Sequence, residues 1–221
     1  MLVAHYERPR EVGMLRASEE SPRMFDSDFI DFFSRVPYWV VPLIYVPMIV
    51  VSAGYAVVGE GLSPLLLPVW FAAGWFVWSL MEYWLHRTLF HWIPAASWGE
   101  RFHFYLHGVH HKWFKDRFRL VMPPAASLAL AVVVIAALEG LGLVLSPVLA
   151  PSWVYGLFSG IVWGYLVYDM VHYYIHHAKP KSKMMLALRA HHNKHHHNKK
   201  YKEKKFGVSM TVWDHVFGTY E

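Results

Sequence analysis

Four stretches of this chain contain no Asp, Glu, Lys or Arg: Val36 to Gly59 (24 residues), Gly61 to Met81 (21), Leu120 to Leu138 (19) and Gly140 to Tyr168 (29). About 20 apolar residues at ~1.5 Å each cross the hydrocarbon core of a bilayer, so every run is long enough to span it. The chain therefore reads as an integral membrane protein. Only 17% of its 221 residues are charged and 55% are apolar, which excludes a disordered or solvating chain. That length suits one functional unit rather than two catalytic domains. There is no Cys, so neither a disulfide framework nor thiolate metal chemistry is available.

The net charge of +5 could point to nucleic acid or anionic lipid, but its distribution argues for membrane topology. Residues 1–35 carry five Lys/Arg, residues 82–119 carry six and residues 169–221 carry ten, which is all twenty-one. Between the paired runs stand only Glu60 and Glu139. If each run crosses once, every Lys and Arg lies on one face, and the positive-inside rule makes that face cytosolic. The expected fold is all-α, with about four transmembrane helices in two hairpins (36–81 and 120–168). A cytosolic helical cap is expected from residues 82–119 and 169–221, after a cytosolic amino-terminal segment, 1–35. The third helix is expected to start after Pro123-Pro124 and run past Glu139 toward Leu145. Pro37, Pro42 and Pro47 recur every five residues, predicting that the first helix is kinked or partly interfacial. No signal peptide is visible. The basic run Lys199 to Lys205 reads as a solvated loop near anionic headgroups.

Sixteen His are present, and after His5 all of them fall on the proposed cytosolic side. They form clusters: His86 and His91; His103, His107, His110 and His111; His172, His176 and His177; His191, His192, His195, His196 and His197. Spacings of three and four put imidazoles on one helix face, so His107/His110/His111, His172/His176 and His192/His195/His196 can each converge on a metal. His86 and His91 stand about 140° apart on an ideal helix and can share a site only where the helix ends or bends. Neutral imidazole binds Fe, Zn, Cu or Ni, so the residues alone do not choose the metal. Eight to ten convergent His exceed what one ion can use, and two ions are the economical reading.

At these clusters the sequence resembles the fatty acid hydroxylase superfamily of membrane di-metal enzymes, whose pattern is HxxxxH, HxxHH, HxxxH and HxxHH. Within it the match is closest to fatty acid 2-hydroxylases acting on sphingolipid acyl chains. The likeness runs from about Ser21 to Thr219. It is most specific at Met81 to Arg87, His107 to Lys112, Arg119 to Pro124, Tyr168 to Ala178, and Phe206 to Ser209 through Trp213-Asp214 to Thr219. The resemblance implies one hydroxylase domain, 1–221, with His86, His91, His107, His110, His111, His172, His176, His192, His195 and His196 as metal ligands. His103, His177 and His191 are expected beside the metals. Glu82, Asp116, Asp169 and Asp214 are candidates to accept the second N–H of a ligating imidazole, with an ordinary Lys/Arg salt bridge as the competing role. The family's frequent cytochrome b5-like domain, with its His-Pro-Gly-Gly signature, is not found in these residues. His191 and His197 crowd the last box, and His215 stands where the family usually has an apolar or aromatic residue.

What the resemblance implies chemically is hydroxylation of C2 of a long-chain fatty acid or of the N-acyl chain of ceramide. An aliphatic C–H bond is unreactive toward side-chain acids and bases, so O2 activated at two Fe ions is expected, with Zn able to occupy the sites in purified protein. Electrons are expected from an external cytochrome b5 and its reductase, because the chain shows no haem, flavin or dinucleotide motif. The expected partners are thus an acyl lipid, the membrane and a haem protein, with no nucleic acid. The expected place is the endoplasmic reticulum membrane of a eukaryote or the inner membrane of a bacterium. A desaturase or sterol oxidase on the same scaffold is the alternative enzyme. A His-rich metal transporter or buffer is the alternative without catalysis, though the runs offer few polar groups to pass an ion.

Overall fold

The structure, a computed structural model, describes residue 21 and residues 23–221. The expectations for residues 1–20 and 22, His5 among them, lie outside the described residues. Every regular element among the described residues is helical: α1 (Asp28–Phe33), α2 (Val40–Val58), α3 (Leu67–Trp84), α4 (Gly99–His103), α5 (Val109–Lys112), α6 (Pro124–Leu145), α7 (Trp153–His177), α8 (Lys183–His197) and α9 (Val212–Val216). Two π-helical turns, Leu85–Phe90 and Phe104–Gly108, extend α3 and α4 at their carboxyl ends. The chain divides into two compact units. One takes 39–82 and 124–170; the other takes the described residues up to 38, with 83–123 and 171–221.

Three helices, α2, α6 and α7, are long and apolar enough to cross a membrane. The remaining long helix, α3, starts at Leu67 after a turn in which Gly61 adopts φ +70°, and Trp70, Trp75, Trp78, Trp84 and Glu82 make it less apolar. Pro124 opens α6, where its missing N–H costs no bond, and Pro47 lies inside α2. The apolar surfaces are used differently. Burial reaches 72% of the spanning window in α7 but only 6% in α6, so α6 turns a nearly uniform apolar surface outward, as a lipid-facing helix does.

Close approach of backbones explains the burial of α7. Gly156, Gly160 and Gly164 recur every four residues and meet α3, where a Cβ on Gly160 would stand 2.0 Å from the Phe71 carbonyl oxygen. Reciprocally, a Cβ on Gly74 would stand 2.0 Å from that of Leu157. Small residues at this spacing let apolar helices associate where water supplies no driving force. Tyr45 of α2 donates to Ser127 of α6 at 2.6 Å, and its ring meets Tyr165 edge-on at 4.7 Å, so its polar tip is satisfied inside the unit.

The other unit is held by buried charge pairs. Arg119 reaches Asp31 at 3.2 Å and Asp116 at 3.5 Å, and Arg35 reaches Asp31 at 2.7 Å. Asp31 also accepts the Met24 and Phe25 amides, while Asp116 accepts from Ser21 and the Phe118 amide. Burial raises the pKa of Asp31, but those amides and the two guanidinium groups outweigh it and hold the carboxyl below its ordinary value. Asp116 is thus occupied by Arg119 rather than by an imidazole.

Gly160→Ala should lower the thermal midpoint of the detergent-solubilised protein by several degrees, since overpacking costs about 1–3 kcal/mol and here the obstacle is backbone. Gly54→Ala, where a Cβ meets nothing within 4 Å and alanine is the better helix former, should not lower it. A thermal unfolding series on the two variants checks this.

Candidate metal centre

The histidines reach one another because the local helices are shaped to present them. His86 is the second residue of the π turn Leu85–Phe90 and His91 directly follows it, and the turn's i to i+5 hydrogen bonds bring residues five apart toward one face. Their ring centroids lie 5.2 Å apart, although 140° would separate them on an α-helix. His107 lies in the second π turn, and His110 and His111 follow on α5. His172 and His176 occupy the last two turns of α7. Ser182 caps α8 by accepting from the Met185 amide, and the carboxyl half of α8 carries His191, His192, His195 and His196.

The ten histidines separate into two groups. His86, His91, His107, His111 and His195 form the first, and His110, His172, His176, His192 and His196 the second. Within each group one nitrogen per residue lies within 4.8 Å of all the others. In the second group the Nε2 atoms close a ring: His110 to His172 3.0 Å, His172 to His192 2.9 Å, His192 to His196 2.9 Å, His196 to His110 3.0 Å. Hydrogen bonds alone cannot make this ring, because each nitrogen carries one proton or one lone pair and would need both. A square of that edge has its centre about 2.1 Å from each corner, the length of an imidazole–metal bond. The first group has the same spacing, with His107 Nε2 at 3.1 Å from His86 and 2.9 Å from His111, and His91 at 3.2 Å from His195. Five imidazole nitrogens gathered this closely in each group suit a metal ion as their common partner.

Protonation states agree with this donor set. Burial holds the pKa values of His86, His107, His110, His111, His192 and His196 well below the ordinary imidazole value, and neighbouring His add to the effect. Burial takes His91 down to about 3, and His195 to about 4 even though the Lys204 carbonyl opposes the fall. All eight are neutral at physiological pH, with lone pairs available. The tautomer of two is fixed from outside: His86 Nδ1 donates to the Phe206 carbonyl at 2.6 Å and His195 Nδ1 to that of Lys204 at 2.8 Å, leaving each Nε2 lone pair free.

The other expected site residues lie outside both groups. The His103 ring is 6.4 Å from that of His91, and His177 lies beside His176 and against Tyr173. His191 donates to Asp214 at 3.0 Å, so Asp214 bonds an imidazole of neither group. Asp169 accepts from Tyr165 at 2.8 Å on α7, and Glu82 is buried on α3. Sequence reasoning missed Phe206, whose ring packs against those of His86, His91 and His195 at 5.4–5.8 Å. Lys199, Lys200 and Lys202 of the basic run are exposed, but Lys205 is buried over the rings of Tyr201 (4.6 Å) and Tyr220 (4.4 Å).

Fold and site define a helical membrane protein in which two adjacent five-histidine groups fit metal ions. Residues 71–219 match the fatty acid hydroxylase family, and the chain belongs to it. A dihydroceramide fatty acyl 2-hydroxylase of Arabidopsis thaliana is 36% identical over 200 residues, 90% of this chain and 80% of the relative. The ceramide very long chain fatty acid hydroxylase of Saccharomyces cerevisiae is 37% identical over 99% of this chain and 53% of its own length. The human fatty acid 2-hydroxylase is 34% identical over 89% and 56%. Among solved structures, Scs7p with only its hydroxylase domain visible superposes with a TM-score of 0.77 at 35% identity, covering 88% of this chain and 70% of that one.

Metal analysis of the purified protein should find two ions per chain. His110→Ala should reduce the count to about one, because it opens the ring of the second group only.

Proposed function

We propose that this chain is a fatty acid 2-hydroxylase, inserting one oxygen atom of O2 at C2 of a long-chain fatty acid or of the N-acyl chain of a ceramide. The observation that carries this reading is the pair of five-histidine groups in a chain of the fatty acid hydroxylase family. The relatives named as ceramide or fatty acid 2-hydroxylases support the choice of carbon and of lipid. The reaction consumes O2, two electrons and two protons, and yields the alcohol and water. Two bound iron ions supply the O2-activating redox chemistry that no side chain here provides.

The protein's own residues have definable tasks. The first-group histidines would hold one ion and the second-group histidines the other. Sequence neighbours alternate between groups: His110 and His196 belong to the second, His111 and His195 to the first. The His111 and His196 rings stack at 4.3 Å, so the two centres are close enough to act on one substrate. Phe90 stacks on His107 at 5.4 Å and Phe206 packs against three imidazoles, an apolar wall that keeps water from the reacting atoms. Selection of C2 follows from position: with the carboxyl or amide held at the cytosolic mouth, only the adjacent carbon comes within reach of the centre. The confinement of all Lys and Arg to three segments supports a cytosolic active site.

Lipid mass analysis of cells expressing the chain tests the activity. A gain of one oxygen located at C2 is expected, and a new double bond instead would make it a desaturase. His110→Ala and His176→Ala should each abolish the product while the protein still inserts, since the apolar helices are untouched. Full activity in either variant removes that residue from the ligand set.

A haem protein of the cytochrome b5 class is the electron donor we infer, and exposed Lys199, Lys200 and Lys202 supply a basic surface that would steer an acidic partner. Purified protein should be inactive with NAD(P)H alone and active once cytochrome b5 and its reductase are added. Turnover should slow as ionic strength rises, because exposed charges are screened. Full turnover with NAD(P)H and no added protein defeats the donor assignment; a salt-independent rate defeats only the docking surface.

A further inference from the structure

The two five-histidine groups differ in how their rings are held. In the first, the Nδ1 atoms of His86 and His195 are anchored on the carbonyls of Phe206 and Lys204. In the second, the Nδ1 atoms of His110, His192 and His196 are buried and meet no hydrogen-bond partner among the described residues. We propose that Asp214 is the positioning residue of the first group alone: it fixes backbone segment 204–207, whose carbonyls orient His86 and His195, and so sets metal affinity there without touching an ion. The proposal rests on the reading of both groups as metal sites.

Asp214 is fully buried and accepts four hydrogen bonds: from the Phe206 amide (2.9 Å) and Thr219 Oγ1 (2.7 Å) on one oxygen, and from the Gly207 amide (2.9 Å) and His191 Nε2 (3.0 Å) on the other. Both carboxylate oxygens are thereby committed to the segment and its supports. Phe206 is the link, for its N–H is held by Asp214 while its carbonyl receives the His86 proton. The segment has little freedom to relax. Lys205 takes φ 62°, its amide donates to the Thr219 carbonyl at 3.0 Å, and a Cβ on Gly207 would stand 2.0 Å from the Met210 oxygen. Partners outside the ligand set fix ring orientation and tautomer, and losing one typically costs about 10–100-fold in metal affinity. Here a peptide unit stands between carboxylate and imidazole.

Asp214→Asn tests this, because the amide offers one acceptor oxygen where two are used and turns an NH2 toward N–H or O–H donors. The full chain, purified in detergent and loaded anaerobically with ferrous iron, is exposed to a graded chelator series and bound iron is counted per chain. The wild type should release two ions in two steps. In Asp214→Asn one step should move to about 10–100-fold lower chelator concentration while the other stays. His110→Ala, which lacks the second group's ring, identifies the step that stays. Should Asp214→Asn fail to fold, Thr219→Val removes only one of the four bonds and should move the same step in the same direction by a smaller factor. Two unmoved steps, movement of the other step, or movement of both together overturns the proposal. A wild type that does not hold two ions overturns the metal reading itself, whatever Asp214 does.

Discussion

Ten imidazoles, six of them buried, turning one nitrogen each toward two points are the constraint on which the His-bearing unit depends. A buried polar group without a partner costs several kcal/mol, and four nitrogens in a ring at about 3 Å cannot satisfy one another. The arrangement is tolerable only if something accepts all the lone pairs together, and a cation does so. The carboxylates Asp31, Asp116 and Asp214 accept instead from guanidinium groups, amides, hydroxyls and the outlying His191.

The glycine row on α7 and the histidines that end it belong to one helical pattern. Gly156, Gly160 and Gly164 are continued at the same spacing of four by Tyr168, His172 and His176. Rows at that spacing form ridges inclined to the helix axis, the ridges by which helices interdigitate. The row first omits side chains so that α3 can approach, and then supplies ligands. A helix met this tightly by backbone contact cannot slide along its neighbour.

The all-helical character and the convergence of histidines were legible because both follow from periodicity and from the absence of charge. Which histidine joins which group was not. His110 and His111 stand about 100° apart on a helix, so one box must serve two centres, but sequence spacing does not say which member turns to which. The His86–His91 pair was legible only as a conflict, five residues being wrong for an α-helix; the π turn resolves it, and no propensity argument announces one. The Gly156, Gly160 and Gly164 row was present in the sequence as a small-residue repeat, a signal passed over beside the longer apolar runs. Asp214 was singled out as a partner for a ligand imidazole, and its action through the Phe206 amide was beyond reach because backbone carbonyls carry no sequence signature. Lys205 was grouped with the exposed lysines on composition, whereas a left-handed backbone and two tyrosine rings draw it inside.

The chemistry proposed for this chain and the position of its ligands meet a single geometric demand. C2 of an acyl chain is one bond from the carbonyl carbon, so it lies where the polar head ends and the apolar chain begins. A centre that oxidises C2 must therefore work at the boundary between water and hydrocarbon rather than in either phase. Two of the ten histidines sit in the last turns of a helix long enough to cross a membrane, the place where such a helix reaches that boundary. The His-bearing unit is also unlike a water-soluble domain, exposing Phe29, Phe32, Phe33, Trp92, Ile93 and Trp98. Large aromatic and apolar side chains left open in this number suit contact with lipid, whereas the lysines of 199–202 suit water. A unit that presents both kinds of surface meets the demand that the proposed chemistry makes, a polar head in water and an apolar chain in hydrocarbon.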